Sequence, residues 1–530
     1  MMRKLLLFCL LVFGCWLPIS GGRQGVGSSG KNVLLFTVDS CRPDRFSLYG
    51  NPRKTTPNID AWARTAVVYE NAFAVSAWTA PGLVSILTGL YPWEHGVDSR
   101  DRIAPQSVPT LSKIFKSAGY LAPNLNFFTF APYFQNLGLG EIEREYFTQT
   151  EGEELLNWLD KNVPIDPATG SGQKFFAWYH TTTVHQPYRR EKTGDQTRAG
   201  GPQTESEGLA AVQNGAIVPA GSVKFTAQDR PALLDLYDSE VEHMDRFFGK
   251  VLAKLKEKKV LEETVIVLTA DHGEELLDHG FVGHASTSLE AKLYDEVIRI
   301  PLIVSAPGHL KSGRRSELIQ QVDLFPMILS LAGLKKEPVR PPRKKVFLES
   351  VIAGNQTTRE REGIWLRAVR TRDKKYIERW ENGAAVSREF YDLRRDPAEK
   401  HSTPGSLEFP TPSPGSKVTA KKAPSQQPGQ MGPCPLLHMP RAAETLRYVD
   451  HTGAILFQWE GDREQDYIVE YDIGTGDHHV AGTYPAKGNY QVLGPFPKEL
   501  WQSLKAWNPF RIRVSPAGGG CWSEWREFYF

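Results

Sequence analysis

The chain contains little cysteine, and its cysteines are widely scattered. Five occur in 530 residues, and two of these, Cys9 and Cys15, lie close to the N-terminus. The spacing of the other three, Cys41, Cys434 and Cys521, does not match a zinc site. Cys434 and Cys521 lie in the same C-terminal region, where an oxidising compartment would permit a disulfide between them.

The chain also lacks an excess of charge of either sign. Lysine and arginine number 63, aspartate and glutamate number 61, and the net charge is +2. So small a charge provides no electrostatic basis for binding nucleic acid or an anionic membrane. We interpret the basic run RPPRKK (340–345) as a solvated loop.

Long apolar runs are absent except at the N-terminus. Residues 1–22, MMRKLLLFCLLVFGCWLPISGG, pass from basic to apolar to small residues, which is the pattern of a secretory signal peptide. Cleavage near Gly21 is one interpretation, and acylation of Cys15 to give a lipoprotein is the other. Both predict export to the periplasm or beyond. No later segment is long and apolar enough to be a transmembrane span.

Residues 31–400 alternate apolar strands with helical stretches, which predicts a layered α/β/α domain with a central, mostly parallel sheet. Four apolar runs are typical of strands buried on both faces: NVLLFTV (32–38), FFAWYH (175–180), TVIVLTA (264–270) and IPLIVSA (300–306). A helix before the third run has an apolar stripe: Leu234, Tyr237, Val241, Met244, Phe248, Val251 and Leu255. Residues 189–224 lack periodicity and are predicted to form a surface insertion or a lid.

The C-terminal part has a different pattern. Residues 401–433 are rich in proline, serine and lysine, which indicates a linker. Residues 434–530 alternate apolar and polar positions between turns, which predicts a small antiparallel β-sandwich. The order of Trp459, the strand Tyr467–Tyr471 and the strand Phe510–Val514 resembles a fibronectin type III module. Such a module would act as a spacer or as a contact to a surface glycan.

Polar side chains follow three of the four apolar runs. Asp39 comes after the first, His180 and His185 after the second, and Asp271–His272 after the third. Ligands bind at the carboxyl ends of parallel strands in layered α/β proteins, so these side chains should meet at one edge. Carboxylates, imidazole and a nearby hydroxyl can bind Mn, Zn, Mg or Ca.

Thr79 could supply that hydroxyl. The segment TAPGLVSILTGL places Thr79 just before Pro81 and an apolar helical run, which predicts a helix N-cap. The same place favours an anion, because free backbone N–H groups and the helix dipole point there. Read locally, Thr79 is a cap; beside a divalent cation it would be a nucleophile.

Eight segments taken together resemble the sulfatase family of the alkaline-phosphatase-like superfamily. In chain order they are NVLLFTVDSCRPD, TTPNIDAWARTAVVYENAFA, TAPGLVSILTGLYPWEHGV, YHTTTVHQPY, VIVLTADHGEELLDHGFVGH, LYDEVIRIPLIV, VDLFPMILSLAGL and FYDLRRDPAEK. The resemblance implies a metal-dependent enzyme acting on phosphate or sulfate esters. It implies metal ligands at Asp39, Thr79, Asp271 and His272, and catalytic roles for Thr79, His185 and His284. Lys292 could neutralise an ester oxygen.

Several positions depart from the sulfatase pattern. The family has Cys or Ser, which becomes formylglycine, within C/S-x-P-S/A-x-R; this chain has Thr79-Ala80-Pro81-Gly82-Leu83 and lacks the arginine. Ser40 replaces the second aspartate, and YLAPNLNFFTF stands where a Lys-Trp-His segment is expected. Threonine nucleophiles belong to phosphate-transferring members of the superfamily. Two-metal members add a carboxylate before the histidine loop, whereas this chain has HTTTVH, so one metal ion is expected.

We therefore expect an exported, metal-dependent hydrolase of phosphate or sulfate esters with Thr79 as the nucleophile. The substrate is expected to be an anionic ester on a glycan or a lipid head group. One alternative is a transferase of phosphoglycerol or phosphoethanolamine groups. The other is a degenerate sulfatase fold that binds without catalysis. The presence of Ser40 and the absence of the arginine would support this alternative.

Overall fold

The structure is a computed structural model that describes most of the chain. The described residues are 30–99, 102–147, 153–164, 173–188, 206–215, 217–226, 228–334, 342–354, 364–382, 384–409, 437–439, 444–445, 455–459, 466–475, 478–487, 490–493, 508–517 and 522–529. The predicted signal peptide at 1–22, Cys434, Cys521 and most of the predicted linker lie outside the described residues. Among the described residues, no helix combines the length and apolar character needed to cross a membrane.

The first part of the chain alternates strands and helices, as predicted. The strands are β1 Asn32–Val38, β2 Val67–Phe73, β3 Phe176–Thr181, β4 Thr264–Ala270, β5 Glu275–Leu276, β6 Val282–Gly283, β7 Arg299–Ser305 and β8 Gly313–Gln320. The helices are α1 Pro57–Ala63, α2 Thr79–Thr88, α3 Pro92–His95, α4 Leu111–Ser117, α5 Glu153–Asn162, α6 Glu207–Asn214, α7 Asp229–Glu257, α8 Ala285–Ser288, α9 Asp295–Ile298 and α10 Leu324–Leu331.

Six strands form the central sheet in the order β3-β1-β4-β7-β2-β8. Strand β7 is antiparallel to both of its neighbours, and the other five strands run in one direction. The predicted mostly parallel sheet is confirmed. Because β7 runs back from the edge where β4 ends, the connection 271–298 begins and ends at the carboxyl edge of the sheet. That edge therefore holds the whole Asp271–His284 region.

Helices pack on both faces of this sheet. Helices α1, α5 and α6 contact α7, and helices α3, α4 and α10 contact α2. The aromatic ring of Phe36 in β1 lies 5.1 Å from that of Phe248 in α7, which joins sheet and helix in one core. The predicted α7 stripe is correct except at Leu234, which is partly buried, whereas Leu233 and Leu236 are buried.

The predicted helix–strand alternation is wrong beyond α10. Strands β9 Val346–Val351, β10 Ile364–Arg370, β11 Lys374–Glu381 and β12 Ala384–Asp392 form an antiparallel sheet in the order β12-β11-β10-β9. In β9 and β10, buried side chains alternate over part of each strand with partly buried ones, as expected where one face of a sheet is better covered than the other. The connections β10–β11 and β11–β12 are too short for crossover helices.

The described C-terminal strands form two further sheets. Strands β13 Leu437–Met439, β15 Ile455–Trp459 and β18 Tyr490–Leu493 form one. Strands β14 Glu444–Thr445, β16 Asp466–Thr475, β17 His478–Lys487, β19 Phe510–Pro516 and β20 Arg526–Tyr529 form the other. Trp459 is fully buried, and its ring lies 5.4 Å from that of Tyr467, which joins the two sheets. A small all-β unit is present, and its fibronectin type III resemblance stays a prediction.

Candidate active site

Four strand ends meet at the carboxyl edge of the central sheet. Strands β1, β3 and β4 are adjacent, and β2 ends shortly before α2 begins at Thr79. The backbone N–H of Asp39 donates to the carbonyl of Thr181 (2.9 Å), and that of Asp271 donates to the carbonyl of Val38 (3.3 Å). These bonds extend the ladder past the strands, so Asp39 and Asp271 leave the sheet side by side.

The turn after β1 aims Asp39 toward Asp271. Ser40 has φ of 54°, in the left-handed region that costs a non-glycine residue strain. In this conformation its N–H donates to Asp271 Oδ1 (3.0 Å) and its Oγ donates to Asp39 Oδ1 (2.7 Å). Ser40 thus orients the two carboxylates at the position where the family pattern has a second aspartate.

One carboxylate oxygen of Asp271 accepts two hydrogen bonds, and the other accepts none from the described residues. Oδ1 accepts from the N–H groups of Ser40 and His272 (2.8 Å). Oδ2 is buried without a hydrogen-bond partner in the described structure. It lies 3.5 Å from His272 Nε2 and 3.9 Å from His180 Nε2. A buried carboxylate oxygen without a partner is costly, so a missing partner of positive charge is indicated.

The positions of the protons on two histidines indicate that the missing partner is a cation. His272 Nδ1 lies 2.8 Å from the carbonyl of Gly273, which can only accept, so Nδ1 carries the proton. His180 Nδ1 lies 3.0 Å from Thr37 Oγ1. The Thr37 hydroxyl donates its one hydrogen to the Tyr179 carbonyl (3.2 Å), so it accepts from His180. Both Nε2 atoms therefore face the carboxylates with lone pairs.

These atoms fit a divalent cation. His180 Nε2 lies 3.4 Å from Asp39 Oδ2, and His272 Nε2 lies 3.8 Å from Asp39 Oδ1. Lone pairs of two imidazoles and two carboxylates repel one another at these separations unless a cation lies among them. One atom each from Asp39, His180 and Asp271 lie within 4.8 Å of one another, as metal ligands must. The donor atoms of these four side chains therefore fit a divalent cation.

Thr79 adjoins this site. Its Oγ1 lies 3.5 Å from His272 Nε2, and its side chain is partly exposed to the cavity above. The N-cap prediction is wrong: Trp78 is the N-cap residue, and Thr79 has already entered the helix. Its hydroxyl is consequently directed at the metal site rather than at the helix N–H groups.

Two neighbours hold α2 against the end of β4. A Cβ on Gly82 would lie 2.6 Å from the carbonyl oxygen of Asp271, so only glycine permits this approach. Gln321 donates from Nε2 to the Asp271 carbonyl (2.7 Å) and accepts the N–H of Val75 (2.9 Å). Together they set the distance between Thr79 and the carboxylates.

His284 and His185 lie on the other side of the site. The ring of His284 is 4.3 Å from that of His272 and 5.1 Å from that of His185. His284 Nδ1 lies 2.9 Å from Glu274 Oε1, while its Nε2 is buried without a partner in the described structure. Tyr188 holds Glu274 by donating to Oε2 (2.8 Å). The chain thus presents His284 Nε2 in a fixed orientation.

Burial and mutual charge set the pKa values of this cluster. Burial raises the pKa of Asp271 well above its ordinary value, and the charge of Asp39 raises it further. Burial raises the pKa of Glu274 to about 7. Burial, followed by His272, lowers the pKa of His284, so this imidazole is neutral.

A cavity of about 220 Å³ opens above these groups. The predicted residues Asp39, Thr79, His185 and His284 line it, while Asp271 and His272 are fully buried beneath. His180 also lines it. All six predicted site residues therefore converge on one place.

Comparison with known proteins assigns this geometry to a family. Residues 31–334, more than half of the chain, match the family model described as Sulfatase. This chain belongs to the sulfatase family. It is similar to the Ulvan-active sulfatase of Formosa agariphila, with 23% identity over 424 residues covering 72% of this chain and 78% of the relative.

Solved structures show the same fold. One is described as a complex with its substrate D-glucosamine-2-N,6-O-disulfate (TM-score 0.52, 19% identity, 70% of this chain and 93% of that one). Another is the phosphonate monoester hydrolase of Agrobacterium radiobacter (TM-score 0.51, 20% identity, 70% and 91%). The predicted enzyme class is confirmed: this sulfatase-family chain is a metal-dependent ester hydrolase.

Other sequence predictions fall outside the site. Lys292 pairs with Glu290 (3.1 Å) and is not among the described residues that line the cavity. The predicted surface insertion is partly described and partly helical, with α6 packing back on the histidine loop. Tyr188 N–H donates to the Val212 carbonyl (3.0 Å), and Gln186 Nε2 donates to the Gly215 carbonyl (2.9 Å). This segment supports the loop that carries His185.

His180 was not among the predicted site residues of this sulfatase-family chain. Its position directly at the end of a buried strand was a usable signal, but the resemblance assigned no role to it. Gln321, Glu274 and Tyr188 were also missed. Glu274 and Tyr188 lie inside two of the segments that carry the resemblance, and Gln321 lies just before a third. The resemblance assigned them no role, because their roles depend on contacts made across the fold.

A second ionisable cluster supports the Asp271 loop from behind. His279 Nδ1 contacts Glu296 Oε1 and lies 3.6 Å from Glu275 Oε2. Although burial acts to lower the pKa of His279, its bonds to Glu275 and Glu296 raise that pKa to about 10. The Glu296 carbonyl also accepts the Glu274 N–H (3.0 Å), so the cluster adjoins the site.

We expect His279→Gln to lower the melting temperature by about 2–4 °C at pH 7. A raised histidine pKa stabilises the fold below the ordinary value of 6.5, and this stabilisation is lost as pH rises through about 10. The difference between wild type and variant should therefore shrink between pH 7 and pH 10 in thermal melts. An equal difference at both pH values would contradict the charged pair, and His401→Gln, an exposed histidine, is the control.

Proposed function

We propose that this chain is an exported hydrolase of sulfate or phosphate esters that uses Thr79 as its nucleophile. Asp39, His180, Asp271, His272 and Thr79 would hold one divalent cation. The observation that carries this proposal is the unpartnered oxygen of Asp271 facing two imidazole lone pairs beside the Thr79 hydroxyl.

The donor set favours some cations over others. Calcium and magnesium prefer oxygen ligands, whereas imidazole suits zinc and manganese. Two of the five proposed ligands are imidazoles. Of the four metals that the sequence allowed, zinc and manganese therefore fit best. The bound ion supplies charge that lowers the pKa of the Thr79 hydroxyl and neutralises ester oxygens.

The proposed reaction has two steps. Thr79 Oγ1 attacks the sulfur or phosphorus atom in line, the bond to the ester oxygen breaks, and an ester of Thr79 forms. His284 or His185 takes the Thr79 proton on an unprotonated ring nitrogen and gives it to the departing alcohol. Water then attacks the Thr79 ester and releases sulfate or phosphate. The N-terminus of α2 favours the negative charge of the group being transferred.

The comparisons support two ester classes. The Formosa relative is described as an Ulvan-active sulfatase, and one solved neighbour is a complex with D-glucosamine-2-N,6-O-disulfate as its substrate, whereas the Agrobacterium neighbour is a phosphonate monoester hydrolase. A threonine cannot provide the formylglycine of the sulfatase pattern, so Thr79 supports direct attack on either centre. The substrate would be an anionic ester on a glycan or a lipid head group, met outside the cytoplasm. A mature N-terminus found by mass spectrometry near residue 22 would support export, and an intact Met1 would contradict it.

Removal of the metal tests the proposal. Protein dialysed against a chelator should lose more than about 99% of its turnover of p-nitrophenyl sulfate, p-nitrophenyl phosphate or bis-p-nitrophenyl phosphate. Zinc or manganese should restore turnover more than calcium does. Undiminished turnover by metal-free protein would contradict the proposal. Added glycerol separates hydrolysis from transfer, because a glycerol ester among the products would indicate the transferase alternative.

A further inference from the structure

A second group of possible metal ligands lies in the cavity beside the first. One atom each from Asp39, His185 and His284 lie within 4.8 Å of one another, and all three residues line the cavity. Asp39 also belongs to the group that it forms with His180 and Asp271. A carboxylate has two oxygens and can bind a cation with each, so Asp39 is placed to bridge two ions.

Both histidines of this second group have an unprotonated Nε2. His284 donates from Nδ1 to Glu274 Oε1 (2.9 Å), and His185 Nδ1 contacts the carbonyl of Gln186. A carboxylate and a carbonyl accept hydrogen bonds, so each Nδ1 carries the proton and each Nε2 carries a lone pair. His284 Nε2 is buried and has no hydrogen-bond partner among the described residues. A cation would supply the missing partner.

The hydrogen bonds behind these rings are those of metal-ligating histidines. Such a histidine almost always donates its other N–H to a carboxylate or a carbonyl, which fixes the ring and its tautomer. Glu274 does this for His284 and is itself held by Tyr188 (2.8 Å), and Gln186 does it for His185. Two imidazoles and one carboxylate also form a donor set of zinc enzymes, in which the fourth position stays open to water or substrate.

The charge of the cavity leaves a role for a second cation. The described residues that line the cavity include no lysine or arginine. Lys292 pairs with Glu290, and the arginine of the family pattern is absent. The carboxylates of Asp39 and Asp271 cancel the charge of one divalent cation, so this first site offers an anionic ester no net positive charge. A second cation would restore that charge.

We propose that Asp39, His185 and His284 hold a second divalent cation, for which zinc fits the donors best, and that this ion binds the anionic group of the ester beside Thr79. This inference rests on the proposed function of the site. Asp39 bridges the two ions, which in two-metal sites lie about 3.5–4 Å apart. The loop 180–185 contains no carboxylate, which led us to expect one ion, but Asp39 supplies a carboxylate from the end of the adjacent strand β1.

Occupancy of this site changes the proton transfers of the proposed reaction. An Nε2 lone pair that binds a cation cannot accept a proton, so His185 and His284 move the Thr79 proton only when the second site is empty. When the site is filled, the Thr79 proton passes to water, the bond to the ester oxygen breaks, and the departing oxygen takes a proton from water. The second cation stabilises the negative charge of that oxygen until it is protonated.

Metal stoichiometry tests the second site. Metal-free, untagged full-length protein is titrated with zinc by calorimetry, and equilibrium dialysis followed by elemental analysis counts the bound ions. We expect two zinc ions per chain, bound in two steps of different affinity. One zinc ion per chain at saturation would overturn the inference.

Variants assign the second binding step to these histidines. His185→Ala and His284→Ala should each weaken the second step by at least about a hundredfold and leave the first step within about threefold. Glu274→Gln, which alters the partner of His284 Nδ1, should weaken the second step by about tenfold or more. His401→Ala, at an exposed histidine, is the matched control for adventitious zinc on the surface. A second step unchanged in both histidine variants would overturn the inference.

Manganese allows a test on wild type alone, which does not depend on the folding of any variant. Electron paramagnetic resonance reports whether two bound manganese ions are magnetically coupled, as ions that share one carboxylate should be. We expect the spectrum of isolated ions with one equivalent of manganese and a coupled spectrum with two. Isolated ions at both ratios would place the second ion elsewhere and overturn the inference.

The two proposals fail in different ways. A chain that binds no zinc, or a Thr79→Ala variant that retains turnover, contradicts the proposed function. A chain that binds one zinc ion and loses turnover on Thr79→Ala agrees with the proposed function and refutes only the second site.

Discussion

Replacing Thr79 by alanine should reduce turnover by at least about 10⁴-fold, because it removes the proposed nucleophile. The described contact of its Oγ1 is with His272 Nε2, at 3.5 Å, and its side chain does not cap α2. The substitution therefore leaves the hydrophobic core unchanged. We expect the melting temperature of the variant to stay within a few degrees of wild type.

Thr79→Ser is the matched control for this experiment. Serine keeps the hydroxyl and loses one methyl group, so its turnover should stay within about tenfold of wild type. Single-turnover assays with an aryl sulfate and an aryl phosphodiester measure the effect. Rapid quenching followed by intact-mass analysis should detect a sulfated or phosphorylated chain in wild type and in Thr79→Ser. Undiminished turnover by Thr79→Ala would refute the assignment of the nucleophile.

Asp271→Asn should change stability in opposite directions with and without metal. In metal-free protein, burial and the neighbouring Asp39 raise the pKa of Asp271, so its ionised form destabilises the fold. Removing that charge should stabilise the metal-free protein by about 1–3 kcal/mol. With zinc at 100 times its dissociation constant, wild type should gain about 2.7 kcal/mol. The variant should gain far less, because it lacks a ligand.

The pH dependence of this effect has a definite sign. A carboxyl whose pKa is raised in the folded state binds protons more tightly there, so stability falls as pH rises above the ordinary range near 4. Metal-free wild type should therefore lose stability relative to Asp271→Asn between pH 4 and pH 7. Denaturant unfolding at several pH values, with and without zinc, measures both effects. Equal stabilisation of wild type and variant by zinc would contradict the metal site.

Much of the fold could be predicted from local sequence. The strands 32–38 and 264–270 were placed with the observed bounds, because a continuous apolar run bounded by polar residues permits little else. Strand 175–180 was displaced by one residue. The antiparallel sheet from Val346 to Asp392 was missed, because the expected alternation was extended past the last helix.

The residues of the candidate site could likewise be predicted only in part from the sequence. Asp39, His185, Asp271 and His272 were found from their place after apolar strands, and Thr79 from its place at the start of a helix. The motif resemblance added His284 and assigned the roles. His180 was seen at a strand end but received no role, because a partner for its Nε2 appears only when Asp39 and Asp271 are brought beside it. The N-cap assignment of Thr79 failed because the helix begins one residue earlier than the sequence suggested.

By itself, the sequence determined the layered α/β class, the edge at which the site lies and the residues that replace the formylglycine pattern. These follow from hydrophobic periodicity and from residue identity, which are local properties. Only the tertiary structure decided the reversal of β7, the unpartnered oxygen of Asp271 and the tautomers of two histidines. Each of these depends on contacts between residues far apart in the chain, and local pattern does not encode such distances.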